Sequence, residues 1–377
     1  MKTKYYLDIL NCIITGKSLS EGTVGNISLQ ELFWFARLNK MLPLISEYLD
    51  KWQPATQEEQ NLVADWKTMA MQQVFGEHRK LHLVKQLLVK AEQYGVPLLF
   101  FKGYQLAELY KSFALRNSSD TDIYVDEKYL ERTVSMLQEL RYRAATGLDT
   151  KNVYTFVFEE NGIQVHKIEL HVSLFEDALE RERIILEGLH MTTPENTVEV
   201  LCCGLRLRTL NYTEHIIYQI FHMAKHLCCH GFPARYLSDT VLFMKRYEKE
   251  IDWNAVDSVM TQLGYNGFYV QLLSIFVSNL DLPERFLFGK PLCPEEETRE
   301  LVRDILWFGA RSFEAELSDA FYYFEQYIEK LEARAGRLLE EIRYDGTTVP
   351  EKVVPLRYQQ SEQLKKRMQL LQNLRLI

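Results

Sequence analysis

Two aspartates one residue apart, Asp120 and Asp122, are the side chains of this chain best placed to do chemistry. They stand in the run Asp-Thr-Asp-Ile-Tyr-Val125, where Asp120, Asp122 and Tyr124 alternate with Thr121, Ile123 and Val125 as on a strand. Residues two apart on one strand face are separated by roughly 6.5 Å, a spacing at which two carboxylates can share one or two hard cations. Without a cation they repel each other. Taken alone, the same pair also describes a solvated strand end, so its meaning depends on what else converges there.

The elements around the pair supply candidates. Upstream, Pro97-Leu-Leu-Phe-Phe-Lys-Gly103 reads as a short buried strand from Leu98 to Phe101, ended by Lys102-Gly103. Leu106, Leu109, Tyr110 and Phe113 then recur at helical spacing, and Arg116 follows. Downstream, Val153 to Phe158 and Ile163 to Val172 flank Asn161-Gly162, a strong hairpin signal. On the returning strand Lys167, Glu169 and His171 share a face. Glu169 is the candidate third carboxylate; pairing with Lys167, or simple solvation, is its alternative.

The rest of the chain is read as four segments. Residues 1–95 are expected to be helical, with Gly95 as a helix cap; 96–210 alternate strand and helix signals; 211–288 are helical again; and 295–377 are charged helices after a Gly/Pro-rich linker. Three charged or basic stretches, Glu297–Phe313, Leu317–Arg343 and a helix from Ser361, make up that last segment. A net charge of -8 argues against bulk nucleic-acid or anionic-membrane binding. No apolar run reaches the ~20 residues of a membrane span, and Asp8 and Asn11 interrupt the apolar amino terminus too early for a signal peptide. Six cysteines with two adjacent pairs and no Cys-x-x-Cys suit a reduced, cytoplasmic protein.

The ordered set Phe-Lys-Gly103, Leu-Tyr110, Arg116, Asp120-Thr-Asp122 and Ile-Glu-Leu-His171 resembles an uncharacterised bacterial nucleotidyltransferase family of the DNA polymerase beta-like superfamily. The superfamily pattern is Gly-Gly or Gly-Ser after the first strand, Asp-x-Asp on the second and a third carboxylate on a later one; this chain carries Lys102-Gly103 at the first position. The resemblance implies an α+β, mainly helical fold, with a small mixed-sheet catalytic core over 96–210 flanked by amino- and carboxyl-terminal helices. It also implies magnesium or manganese and a nucleoside triphosphate. Asp120, Asp122 and Glu169 are then the expected catalytic residues and metal ligands. Gly103 would let backbone approach the phosphates, and Lys102 and Arg116 would oppose the triphosphate charge. Arg116 as a partner of Asp120 or Asp122, and Lys102 as a surface lysine, are the plain alternatives.

Asn211 with Glu214 reads as a capping box for a helix carrying His215, His222 and His226 on one face, followed by Arg235 and Asp239. No second ligand pair at metal-site spacing accompanies the histidines, so no zinc is expected. At least one of His222, His226 and Arg235 is expected to face the aspartates across a cleft. With His171 and Asp239 they form a candidate acceptor site. The function these residues favour is transfer of a nucleoside monophosphate from a nucleoside triphosphate to a hydroxyl of an unidentified small-molecule or protein acceptor. A catalytically silent nucleotide-binding or regulatory module is the alternative. A scaffold rests only on the charged helices after Glu297, and a kinase-like reading lacks both Gly-x-Gly-x-x-Gly and His-Arg-Asp.

Overall fold

A computed structural model describes residues 2–145, 152–175, 178–229, 231–307 and 369–376. The helix expected over Leu317–Arg343 lies outside the described residues, as does the one from Ser361 except for 369–376.

Four helices open the chain, α1 (Thr3–Thr15), α2 (Glu21–Asn26), α3 (Leu29–Leu38) and α4 (Leu42–Ser46), and lead into α5 (Gln57–Tyr94). Thr56 caps the first turn of α5, and Gly95 ends it in the left-handed conformation at φ 62°. At 38 residues α5 is about 57 Å long, long enough to serve two cores. Its first half buries Trp66 among the amino-terminal helices, with the indole N–H donating to the Leu42 carbonyl at 3.0 Å. Its second half buries Leu83, Val84, Leu87 and Ala91 against the sheet.

That sheet is built from β1 (Leu99–Phe100), β2 (Thr121–Tyr124), β3 (Arg143–Ala144), β4 (Val153–Glu160) and β5 (Ile163–His171), in the order β1-β2-β5-β4-β3. Only β2 and β5 run parallel; β1 with β2, β4 with β5 and β3 with β4 are antiparallel. The expected hairpin forms, with both Asn161 (φ 52°) and Gly162 (φ 76°) at positive φ, as a tight two-residue turn requires. Between β1 and β2 lies α6 (Gly103–Ala107), and α7 (Leu130–Glu139) follows β2. The helix expected to run on through Tyr110 and Phe113 stops after Ala107. The chain turns and continues as a single 3-10 turn at Phe113–Leu115.

After α8 (Glu180–Glu187), a second hairpin, β6 (Thr197–Cys202) with β7 (Leu205–Leu210), forms a separate two-stranded sheet. Helices α9 (Tyr212–Cys229), α10 (Arg235–Arg246), α11 (Trp253–Leu263), α12 (Asn266–Asn279) and α13 (Glu295–Trp307) follow. Asn211 caps α9 through its side-chain oxygen, which accepts from Thr213 N and Glu214 N. The reciprocal half of the expected capping box is missing, because Asn211 N–H is already given to the Asn196 carbonyl at 3.0 Å.

The apolar interior falls into two clusters. One joins α1–α4, the first half of α5 and the helices from α9 onward. The other lies between one sheet face, the end of α5 and α7, and contains Ile123, Val125, Ile168, Leu170, Phe156 and Phe158. Among the described residues, no helix is long and apolar enough to cross a membrane.

Candidate active site

The parallel pairing of β2 with β5 sets Asp122 directly opposite Glu169 and Tyr124 opposite His171. Period-two alternation then sorts the strands. Ile123, Ile168 and Leu170 enter the core, while Asp120, Asp122 and Glu169 line a cavity of about 280 Å³ on the other face. That volume sits at the low end of ligand pockets, which run from roughly 300 Å³ upward. The far wall of the same cavity comes from α9 and α10: Tyr218, His222, His226, Arg235, Tyr236 and Asp239. The sheet carboxylates and the helical residues expected to face them are thus brought together.

Three basic side chains contact the three carboxylates. Lys102 Nζ lies 3.0 Å from Asp122 Oδ1, and His171 Nε2 lies 3.3 Å from the same oxygen. Lys167 bridges Glu169 at 2.5 Å and Asp120 at 3.2 Å, so the pairing weighed for Glu169 is present. Burial alone would raise the Asp122 carboxyl, but the Lys102 ammonium and the His171 hydrogen bond outweigh it and hold it well below the usual carboxylate range. Burial alone would lower Lys102, yet Asp122 keeps its ammonium well above the usual lysine value.

Lys102 is therefore no surface lysine. It is placed by an unusual backbone, φ 62° and ψ -98°, a region that a residue with a side chain enters only at a cost of about 1–3 kcal/mol. The ammonium also lies 5.1 Å from the Phe101 ring centroid and 5.4 Å from that of Tyr218, within cation–π range. With only five residues, α6 contributes a single helical turn after Gly103.

Arg116 differs from expectation. Its partner is Asp239 rather than Asp120 or Asp122, with Nε and Nη2 donating to the two carboxylate oxygens at 2.7 and 2.8 Å and Nη1 donating to the Gly103 carbonyl at 3.3 Å. All three guanidinium nitrogens are engaged, so it braces α10 against the turn after β1 and has little left for a phosphate. Tyr110 adds a third bond to Asp239, at 2.7 Å.

The three histidines of α9 separate. His222 and His226 line the cavity, their Nε2 atoms 3.0 Å apart. His215 is seven residues earlier, about 10 Å back along the axis, and is buried against Gln105 and Phe243. Burial and then the Lys102 charge push His222 well below its ordinary value, so it is a neutral hydrogen-bonding group at neutral pH.

Several contributors escaped the sequence reading. Glu77 on α5 accepts from Ser118 N at 2.9 Å and from Lys80 Nζ at 2.8 Å, and Lys80 also bonds the Ser118 carbonyl. The long helix thus clamps the loop that delivers Asp120. An acid followed by a base three residues on, Glu77 and Lys80, was the available signal. Tyr218, one turn before His222, and Tyr236, beside Arg235, were legible only once α9 and α10 were known to face the sheet. Behind the site, His166 is held between Thr121 Oγ1 at 2.8 Å and the Tyr142 hydroxyl at 2.6 Å.

A carboxylate-lined cavity between a small mixed sheet and a helical wall defines an α+β fold with an acidic centre. The chain belongs to the family described as uncharacterised nucleotidyltransferase, which matches residues 26–280. No curated protein matches the chain. Among solved structures, the antibiotic-resistance factor ANT(2'')-Ia in solution is 12% identical over 52% of this chain and 95% of that one, with a TM-score of 0.36. The crystal structure of ANT(2")-Ia with adenylyl-2"-tobramycin is 11% identical over 51% and 99%, with a TM-score of 0.35. An antigenic nucleotidyltransferase-like protein from Paracoccidioides brasiliensis is 14% identical over 53% and 91%, with a TM-score of 0.37. Likeness at that level says nothing about substrates, so the residues carry the rest.

The donor set is compatible with a divalent cation. Asp122, Glu169 and His171 each offer one ligand atom, all within 4.8 Å of one another. Bonds of ~2.1 Å to magnesium set ligand atoms up to about 4.2 Å apart, so small side-chain rotations close the gap. The two carboxylates suit magnesium or manganese. His171 takes the place expected of Asp120 in this tightest grouping, while Asp120 stands beside it on Lys167 and Ser119.

Proposed function

We propose that this nucleotidyltransferase moves a nucleoside monophosphate from a nucleoside triphosphate to a hydroxyl of a small-molecule or protein acceptor, releasing pyrophosphate. The observation that carries this reading is the side-by-side placement of Asp122 and Glu169 on parallel strands, at a cavity that also holds Lys102. Asp122, Glu169 and His171, with Asp120 alongside, would hold magnesium or manganese. The bound cation would supply charge neutralisation at the transferring phosphate and acidify the attacking hydroxyl.

The chain's own groups do the rest. Lys102, released from Asp122, turns its ammonium to the triphosphate. Glu169 is 28% exposed at its side chain, against 8% for Asp122, which favours it as the group that receives the acceptor proton. The acceptor oxygen bonds to the α-phosphorus as the bond to the bridging oxygen breaks; the proton passes to Glu169 and the electron pair leaves with pyrophosphate. Tyr218 and Tyr236 offer ring faces to the base or sugar. Neutral His222 and its partner His226 offer hydrogen bonds to the acceptor. The acidic overall charge and cysteine usage support a cytoplasmic setting without bulk nucleic acid or membrane.

The test is to incubate the protein with each α-labelled nucleoside triphosphate, magnesium or manganese, and fractionated small molecules or proteins, and to follow the label. Metal-dependent label on an acceptor, with pyrophosphate released, supports the reading. No labelled product with any nucleotide or fraction contradicts it.

A further inference from the structure

Two buried arginines share one carboxylate in the helical wall of the cavity. Asp239 already receives Arg116 Nε and Nη2 at 2.7 and 2.8 Å and the Tyr110 hydroxyl at 2.7 Å, so its lone pairs are largely taken. Arg235 Nε stands 3.7 Å from Asp239 Oδ2, beyond hydrogen-bond reach, and no other acceptor among the described residues meets it. Arg235 Nη1 donates to the Asn117 carbonyl, which leaves Nη2 as the remaining edge of the fork. Arg116 and Arg235 are 4% and 5% exposed.

Two cations against one anion leave a surplus positive charge out of water, which is costly unless something compensates it. Among the described residues no sheet carboxylate pairs with it: Asp122 is held by Lys102 and His171, and Asp120 and Glu169 share Lys167, so the sheet's remaining negative charge stays on its own side of the cavity. A water molecule would satisfy an N–H but not the charge. The cavity is thus polarised, with carboxylates on the sheet side and a surplus guanidinium on the helix side.

We propose that Arg235 anchors an anion subsite in this cavity, taking a phosphate or carboxylate group carried by one of the two substrates. Lys40, exposed at the mouth with Nζ 3.5 Å from Ser119 Oγ, adds to the attraction. This deepens the nucleotidyl-transfer reading and rests on it only for the identity of the anion: either the phosphate tail of the nucleotide, or an acidic group on the acceptor, which would make the acceptor an anionic molecule. The planar fork of an arginine suits both sources.

Inorganic phosphate is the probe. Phosphate should raise the melting temperature of the full-length protein above chloride of matched ionic strength. R235Q should weaken phosphate binding by about tenfold or more, as loss of a charge-assisted hydrogen bond does. R235K keeps the charge but loses the fork, and gives the reading if R235Q does not fold. Calorimetric affinities for ATP, ADP and AMP separate the sources. A variant that weakens ATP but not AMP assigns the subsite to the nucleotide tail; unchanged nucleotide affinities, with phosphate still binding beside a non-hydrolysable nucleotide in the wild type only, assign it to the acceptor. No phosphate-specific effect in the wild type, or an equal effect in the variants, overturns the subsite. Phosphate bound through Arg235 in a protein that binds no nucleotide would keep the subsite and remove the nucleotidyl-transfer reading.

Discussion

Asp122 and Glu169 are direct neighbours across the one parallel pairing of the five-stranded sheet, yet their surroundings differ: Asp122 is buried against Lys102 and His171, and Glu169 reaches toward solvent with Lys167. Substituting each should therefore give the same loss of function and different losses of stability. D122N strands the buried Lys102 ammonium and should cost about 3–5 kcal/mol; E169Q breaks a partly exposed pair and should cost under about 1 kcal/mol. Denaturant titrations of both variants check the contrast, and equal costs would contradict it.

Lys102 inverts an ordinary rule. Glycine is normally less stable than alanine at a given position, but φ 62° and ψ -98° is a conformation that glycine adopts freely. Both K102G and K102A remove the pair with Asp122, and only K102G relieves the backbone. K102G should be the more stable of the two by about 1 kcal/mol. Measured by thermal unfolding, the reverse order would show that the backbone there is not strained.

The Arg116–Asp239 pair should prove structural. R116A leaves Asp239 buried with one poorly placed guanidinium and should cost about 3–5 kcal/mol. Y110F removes one hydrogen bond to the same carboxylate and should cost about 2 kcal/mol. Nucleotide affinity of folded Y110F should stay within a factor of about two of wild type. A tenfold loss of affinity with unchanged stability would instead put this hub in direct contact with substrate.

How much of this was legible in the sequence follows from the range of each signal. Asp120, Asp122 and Glu169 were readable because strand alternation and an Asn-Gly turn are local, and together they fix which side chains share a face. The partner of Arg116 was not, because Asp239 lies 123 residues further on and is chosen by how α10 docks. Helical spacing of Leu106, Leu109, Tyr110 and Phe113 suggested one helix, but Tyr110 is drawn into the core and onto Asp239, and the chain turns to let it. His215, His222 and His226 share a face by arithmetic, yet only two reach the cavity because it meets α9 from Tyr218 onward, while His215 is packed against Gln105 and Phe243.

Acid should destabilise the fold through two histidines away from the carboxylates. Burial, with Lys80 nearby, pulls His166 down to about 3, and burial, with Arg116 and Lys102 nearby, does the same to His215. Unfolded, each ionises near 6.5. As pH falls below ~6.5 the unfolded chain takes up protons that the folded chain refuses, so stability is full above that pH and is lost on acidification, by up to about 1.4 kcal/mol per pH unit for each histidine. Urea midpoints should fall between pH 7.5 and 5, and less steeply in H166Q. A flat profile would mean that neither histidine is held neutral.

The central claim is that the cavity transfers a nucleotidyl group and not a terminal phosphate. Parallel reactions with α-labelled and γ-labelled nucleoside triphosphate, the divalent cation and a competent acceptor fraction separate the two. Acceptor-bound label should come from the α position alone, the γ label should leave as pyrophosphate, and D122N and E169Q, each confirmed folded, should do neither. Acceptor label from the γ position, or undiminished α-label transfer by D122N, would contradict the assignment of this site.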